Sequence, residues 1–313
     1  MKESETLFPP LPLEEWEQTK HTLHLFLQIV GKVRLAAHPK INHWWHVTLF
    51  VSTRGITTGP IPHQDKLFEI EFDFLDHVLR IRTSAGQVKS VLLRGKSVAA
   101  FYQEIFSALA ELGLEVRIWP VPYDAPFSTI PFDQDTVHKT YDARYVERFW
   151  RALCQVDSIF REFRGRFNGK STPVQLFWHH LDLTLARYCG RPGPAPEASW
   201  NPVNREAYSH EVIAFGFWAG DARVREPAFY SYTYPLPPGL YDEPLQPPGA
   251  FWDREGGYAL LRYEQVRTSA SPRQEVLDFL ESTYQSGARL AGWDVDAFVL
   301  QPAADAPGKE GKS

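Results

Sequence analysis

Apolar residues recur at helical spacing through Leu23, Phe26, Leu27, Val30 and Val33, predicting a first helix over about 14–36 that starts after Pro12. His24, Gln28 and Lys32 form a separate stripe at i, i+4 and i+8, flanked on its other side by Leu25 and Ile29. A polar line between two apolar faces predicts a helix buried on most of its circumference. The period then changes. Strands are predicted over 44–52, 67–74 and 78–83; Phe68 to Phe74 alternates strictly, as a half-buried antiparallel strand does, and Asp76-His77 supplies a tight connection. A second helix over 97–112 has Ser97 as N-cap, Val98, Phe101, Ile105 and Leu109 on its apolar face, and Gly113 as its stop. Residues 116–119 predict a further short strand.

The second half opens with an amphipathic helix over 141–167, striped by Val146, Phe149, Trp150, Leu153, Phe160 and Phe163. Val174, Phe177, Trp178, Leu181 and Leu185 predict another over 173–188, with Gln175, His179 and Asp182 as its polar stripe. Strands follow at 209–218, 228–234 and 258–266. Ser271-Pro272 opens the closing helix with an N-cap serine and Pro at N1.

These elements suggest one unit used twice. Leu23–Gln28 reads like Val174–His179, and the run beginning at His46 reads like the run beginning at His210. Matched repeats constrain a fold before any local pattern does. The expected fold class is therefore α+β: two similar helix–three-strand–helix lobes, mainly antiparallel sheet with helices packed on it. The expected organisation is an N-terminal extension at 1–12, a first lobe at 13–120 and a Pro-rich connector at 121–140. A second lobe with the extra helix follows at 141–302, and a disordered tail at 303–313.

Composition narrows the classes. The chain has 313 residues, and 43% hydrophobic with 23% charged positions is ordinary for a soluble globular protein. A net charge of −5 gives no electrostatic footprint for nucleic acid or an anionic membrane, so neither is expected as a partner. No apolar run approaches the roughly 20 residues of a membrane span. Cys154 and Cys189 belong to no C-x-x-C pair, which fits reduced thiols, and the polar first residues lack a signal-peptide core. The cytoplasm is the expected location.

Several motifs fail on spacing. Gly165 to Ser171 resembles a phosphate-binding loop but has three residues between its glycines where four are needed. His210-Glu211 is not a zinc-protease motif, because Ala214 stands where the second histidine belongs. No closed metal site is legible among the histidines and two cysteines, so no metal and no cofactor are expected.

What remains is a set of polar and aromatic clusters. Asn42-His43-Trp44-Trp45-His46 opens a predicted strand, where Trp44 and His46 share a face. Tyr208 and His210 share a face at the start of another. Phe229 to Tyr234 sets three tyrosines on one strand face, which suits a pocket wall or an interface, with ordinary sheet packing as the plainer reading. For the histidines the plainer reading is likewise a hydrogen-bonded packing residue.

Five runs carry a resemblance: Gln28–Lys32, Asn42–Val47, Gly169–Ser171, Arg205–Glu211 and Pro227–Tyr232. Over 16–293 they are similar to those of a bacterial family catalogued only as domain of unknown function 5996. The resemblance implies a bacterial protein comprising one family unit and carries no activity with it. It also implies that Gln175 and His179-His180 stand where relatives carry His and small residues, which weighs against a catalytic His179.

The functional expectation is a small polar or anionic ligand bound at the seam of the lobes, where pockets form. His24, Gln28, Lys32, Trp44, Arg187, Tyr208, Tyr230 and Tyr232 are the expected ligand-binding residues. If there is catalysis, His46 or His210 would be its acid or base, with Lys32 or Arg187 clamping an anion. Whether the protein is an enzyme stays open. The alternative is a non-enzymatic interaction module whose exposed aromatics bind a partner or a second copy of the chain, leaving a homo-oligomer open.

Overall fold

The computed structural model describes residues 7–300; the predicted disordered tail and the first six residues of the extension lie outside them. The chain is α+β, with two antiparallel sheets and six α-helices among the described residues.

Helix α1 (Leu13–Ala37) runs through the middle of the molecule. Leu23, Leu25, Phe26, Leu27, Ile29, Val30 and Val33 are all fully buried, and so is Gln28 on the polar stripe. The first sheet follows in the order β1 (Phe50–Val51), β2 (Gly55–Thr57), β4 (Lys66–Asp73), β5 (Val78–Thr83), β6 (Val88–Leu92), with β3 (Ile61–His63) paired to β4. Strand β4 shows the predicted alternation: Phe68, Ile70 and Phe72 enter the core. Glu71 and Asp73 take the opposite face, where they are buried beneath Arg82, Arg54 and Arg80. Helix α2 (Val98–Glu111) has the expected cap, the Ser97 hydroxyl accepting from Ala100 N–H.

Helix α3 (Ala143–Gly165) opens the second half. The second sheet contains β7 (Lys170–Ser171), β8 (Gln175–Phe177), β9 (Asp182–Pro192), β10 (His210–Trp218), β11 (Ala228–Tyr234), β12 (Phe251–Asp253) and β13 (Tyr258–Arg262). Their order is β12-β13-β11-β10-β9-β7, with β8 paired to β9. Helix α4 (Pro202–Ala207) precedes β10, and α5 (Tyr263–Thr268) and α6 (Pro272–Leu290) close the chain. One hydrophobic core runs from Phe8 to Trp293 through both halves.

Four sequence expectations need correction. Residues 173–188 form the β8–β9 hairpin, not a helix. Val174, Leu176 and Trp178, then Leu181, Leu183 and Leu185, also alternate with period two, and pairing of β9 along β10 supplies the ladder that decides between the two periods. Asn42–Trp44 form a short 3-10 helix in which His43 and Trp44 have positive φ, and a turn follows; strand pairing starts only at Leu49, which bridges to Leu176 across the two sheets. Residues 116–119 join no ladder, and the last strand stops at Arg262, where α5 begins.

The repeat therefore fails as aligned. Leu23–Gln28 is helix while Val174–His179 is hairpin, and His46 follows a turn while His210 opens a strand. Each half does run helix, antiparallel sheet, helix, but the opening helix of the second half is α3. The hairpin instead packs on α1. The Trp178 indole lies so close to Gly31 that a Cβ there would stand 2.2 Å from it, and its N–H donates to the Val47 carbonyl at 2.8 Å. No helix among the described residues is long and apolar enough to cross a membrane.

Candidate functional site

The pleat sorts the second sheet into two unlike faces. On one, Leu183 and Leu185 of β9, Ile213, Phe215 and Phe217 of β10, and Phe229 of β11 are buried in the shared core, with α3 and α6 packed near the sheet. On the other, the ladder sets Asp182 opposite Trp218, Thr184 opposite Gly216, Ala186 opposite Ala214 and Tyr188 opposite Val212. It continues from Gly216 to Tyr230 and from Ala214 to Tyr232, with Tyr258 following on β13. Small residues at the centre and large ones at the margin leave this face concave. A cavity of about 810 Å³ lies over it.

Its far wall comes from elsewhere in the chain: Lys20, His21 and His24 of α1, the turn at His43–Trp45, Phe127 of the connector, and Asn204 and Ala207 of α4. The site thus forms where the second sheet meets α1 and the connector. The expected seam was one between two copies of a unit; this cavity lies instead between the second sheet and elements of the first half.

Gly216 governs the centre. Tyr230 sits on β11 and Asp182 on β9, with β10 between them. A Cβ at position 216 would lie 2.2 Å from the Tyr230 ring, so only glycine lets that ring lie across β10. The Tyr230 hydroxyl thereby reaches Asp182 and donates to Oδ2 at 2.5 Å. Beside it, the Tyr208 and Tyr232 hydroxyls are 3.2 Å apart, and the Tyr230 and Tyr232 rings are nearly parallel.

Burial sets the electrostatics. It raises the Asp182 carboxyl above its ordinary range, and pushes the Tyr230 and Tyr232 phenols well above theirs. The same effect lowers the His24 and His179 imidazoles to about 3 and His21 to about 4, so all three are neutral at pH 7. Neutral His24 donates from Nε2 to the His179 carbonyl at 3.0 Å. Burial also lowers the Lys20 ammonium to about 8, and its Nζ donates to the Gly220 carbonyl. Among the described residues no three His, Cys, Asp or Glu side chains converge as a metal site requires.

Of the residues singled out from sequence, the fold brings His24, Trp44, Tyr208, Tyr230 and Tyr232 into this cavity. Gln28 lies behind it: its amide donates to the Tyr123 carbonyl and accepts from the Tyr123 N–H, both at 2.8 Å, pinning the connector. Lys32 reaches the Trp119 carbonyl at 3.3 Å. Arg187 points to the opposite face of the sheet, its guanidinium 3.6 Å from the Phe163 ring centroid and 4.4 Å from that of Tyr284. His46 and His210 flank the cavity without lining it. His46 contacts the Ile41 carbonyl and stacks on Trp44, while His210 meets the Ser209 hydroxyl and the edge of His43.

The cavity also takes in Asp182, Trp218, Tyr258 and Lys20, with Gly216 beneath the Tyr230 ring, none of them among the ligand-binding residues expected from sequence. Asp182 was read as one position of a helical polar stripe. The alternation from Asp182 to Leu185, with Ala214 and Gly216 as the small residues of a large-residue strand, was the signal available.

The model described as Family of unknown function (DUF5996) matches residues 8–299. No curated protein and no solved structure matches.

Proposed function

We propose that this chain, which belongs to the family of unknown function DUF5996, binds a small organic molecule in the cavity over its second sheet. One observation carries the reading. Three buried polar atoms without a hydrogen-bond partner, Asp182 Oδ1, Trp44 Nε1 and Trp218 Nε1, all belong to residues lining this one cavity. Buried polar atoms are nearly always paired, because leaving one unpaired costs about 1–3 kcal/mol. A ligand with matching groups would relieve that cost. The volume lies within the roughly 300–1,000 Å³ of small-molecule sites, and aromatic walls with a few polar anchors are their usual lining.

The interaction-module alternative needs a flat aromatic patch at the surface. Tyr208, Tyr230 and Tyr232 instead line a concave site, which favours ligand binding. The anion clamp anticipated from sequence has no support here, since Lys32 and Arg187 are engaged outside the cavity.

A thermal-shift screen of metabolites at pH 7.5 tests the reading, run in parallel on Ala186→Phe, which places a ring on the cavity floor. A ligand at 100 times its Kd stabilises by about 2.7 kcal/mol. Compounds that raise the melting temperature of the wild-type chain but not of Ala186→Phe are the expected result. No responding compound, or equal response in both proteins, would overturn it.

A further inference from the structure

Resting on that reading, we infer that the ligand is an organic cation: a protonated amine on an elongated, largely apolar body, its ammonium seated between Asp182 and the rings of Trp218, Tyr230 and Tyr258. Asp182 is the reason. One of its carboxylate oxygens accepts from the Tyr230 hydroxyl, the other has no partner, and no described cation forms an ion pair with it. The nearby basic groups are engaged elsewhere: Lys20 Nζ with the Gly220 carbonyl, and His180 Nε2 with Asp124 at 2.5 Å. A buried carboxylate lacking a counter-charge is costly, and a single phenol donor does not neutralise it. A ligand hydroxyl would satisfy the free oxygen but leave the charge unbalanced. An ammonium does both.

The surrounding rings suit the same group. Trp218 stands edge-on to Tyr230 with centroids 5.4 Å apart and to Tyr258 at 6.2 Å, while Tyr230 and Tyr258 are 6.2 Å apart. Three electron-rich rings beside a carboxylate attract a cation through their quadrupoles as well as its charge. Tyr258 already receives one: the Arg223 guanidinium lies 5.2 Å from its centroid, its charge balanced by Asp253.

The wider cavity agrees in sign. Its lining includes four carboxylate side chains against one lysine; Glu17 is paired with Arg225 and Asp124 with His180, which leaves Asp182 and Asp221 without an ion pair among the described residues. The remaining shape sets the body of the ligand. From Asp182 to Tyr188 the floor runs six steps along β9, about 20 Å at the usual strand rise, over Thr184 and Ala186 with Ala214 beside them. At the turn bearing Trp44, the unpaired indole N–H asks for an acceptor on the far part of the molecule.

The test compares isosteres that differ only in the terminal group: phenethylamine and tryptamine, 2-phenylethanol and tryptophol, 3-phenylpropionate and indole-3-propionate. Kd values are measured by ligand-observed NMR up to 10 mM at pH 7.5 on the wild-type chain, Asp182→Asn and Ala186→Phe. The amines should bind at least fivefold more tightly than their alcohols and acids. Asp182→Asn should weaken the amines at least fivefold and the alcohols by less, and Ala186→Phe should remove binding of every class. A smaller preference for amines, or a smaller loss in Asp182→Asn, overturns the cation inference. The cavity reading survives that result if Ala186→Phe still abolishes binding. No binding in any class, or binding indifferent to Ala186→Phe, overturns both.

Discussion

Replacing Gly216 by alanine should break the centre of the site and destabilise the chain, although alanine is the better strand residue. The added Cβ would stand 2.2 Å from Cε1 and Cζ of Tyr230 and 2.4 Å from its hydroxyl oxygen. Carbon–carbon contact requires about 3.5–4.0 Å, so the ring must move by more than about 1 Å. The backbone cannot yield, because Tyr230 is held between Gly216 and Leu260 in neighbouring ladders. The ring therefore swings away and its hydroxyl leaves Asp182. Overpacking costs about 1–3 kcal/mol. The lost buried hydrogen bond costs about 1–3 kcal/mol more. Relief of the strand glycine offsets only about 0.5–1 kcal/mol. The net loss is about 1–5 kcal/mol. With an unfolding entropy near 2.1 cal/mol/K per residue over roughly 290 residues, the melting temperature falls by about 2–8 °C. Calorimetry and urea unfolding of Gly216→Ala, Tyr230→Ala and the double variant isolate the contact. In the Tyr230→Ala background the ring is gone, so Gly216→Ala should be neutral or stabilising by up to about 1 kcal/mol, a coupling of at least about 1 kcal/mol. An equal cost of Gly216→Ala in both backgrounds would refute the argument that Tyr230 depends on this glycine.

Asp182→Asn should raise stability near neutral pH. A carboxyl raised by burial in the folded state keeps its full stability below the ordinary value of 3.8 and loses it as pH rises through the folded value, whereas Asn does not ionise. The melting-temperature gap between the two proteins should open with rising pH from about 3 to 8; a constant gap would contradict this. His179 works in the opposite sense. Its folded value near 3 lies below the ordinary 6.5, so acidification from 6.5 toward 3 protonates the unfolded chain first and stability falls. The loss between pH 7 and 4.5 should be shallower in His179→Asn, and parallel profiles would count against it. Arg187→Met should cost about 1.5–3 kcal/mol for the lost charge-assisted hydrogen bond to the Phe163 carbonyl, which keeps the Arg166 N–H as a donor, plus the lost stacking, while leaving amine-probe Kd within twofold. Unchanged melting with lost binding would instead make Arg187 a ligand clamp.

Where a pattern is local and has no competitor, the chain's own residues decided the outcome. Helix α1 is set by an apolar periodicity continuing on both sides of its polar stripe, α2 by its Ser97 cap and Gly113 stop, and the β4–β5 hairpin by strict alternation closed at Asp76-His77. The aromatic run Phe229 to Tyr234 was legible as a strand with tyrosines on one face for the same reason. Residues 173–188 had two readings, since Val174, Phe177, Trp178, Leu181 and Leu185 fit a helix while Val174, Leu176 and Trp178, then Leu181, Leu183 and Leu185, fit a strand pair. A helix satisfies its backbone internally, but a strand needs a neighbour, and only the folded chain supplies β10 as that neighbour. The same dependence hid the site. Asp182, Gly216 and Tyr230 lie far apart in sequence, on three strands, and become one unit only through strand order and register. Arg187, five residues from Asp182, falls on the opposite face because an odd number of steps along a pleat reverses the side-chain direction. Residue types and periods were therefore written in the sequence, but which of them share a face, and which face holds the cavity, was decided by tertiary pairing.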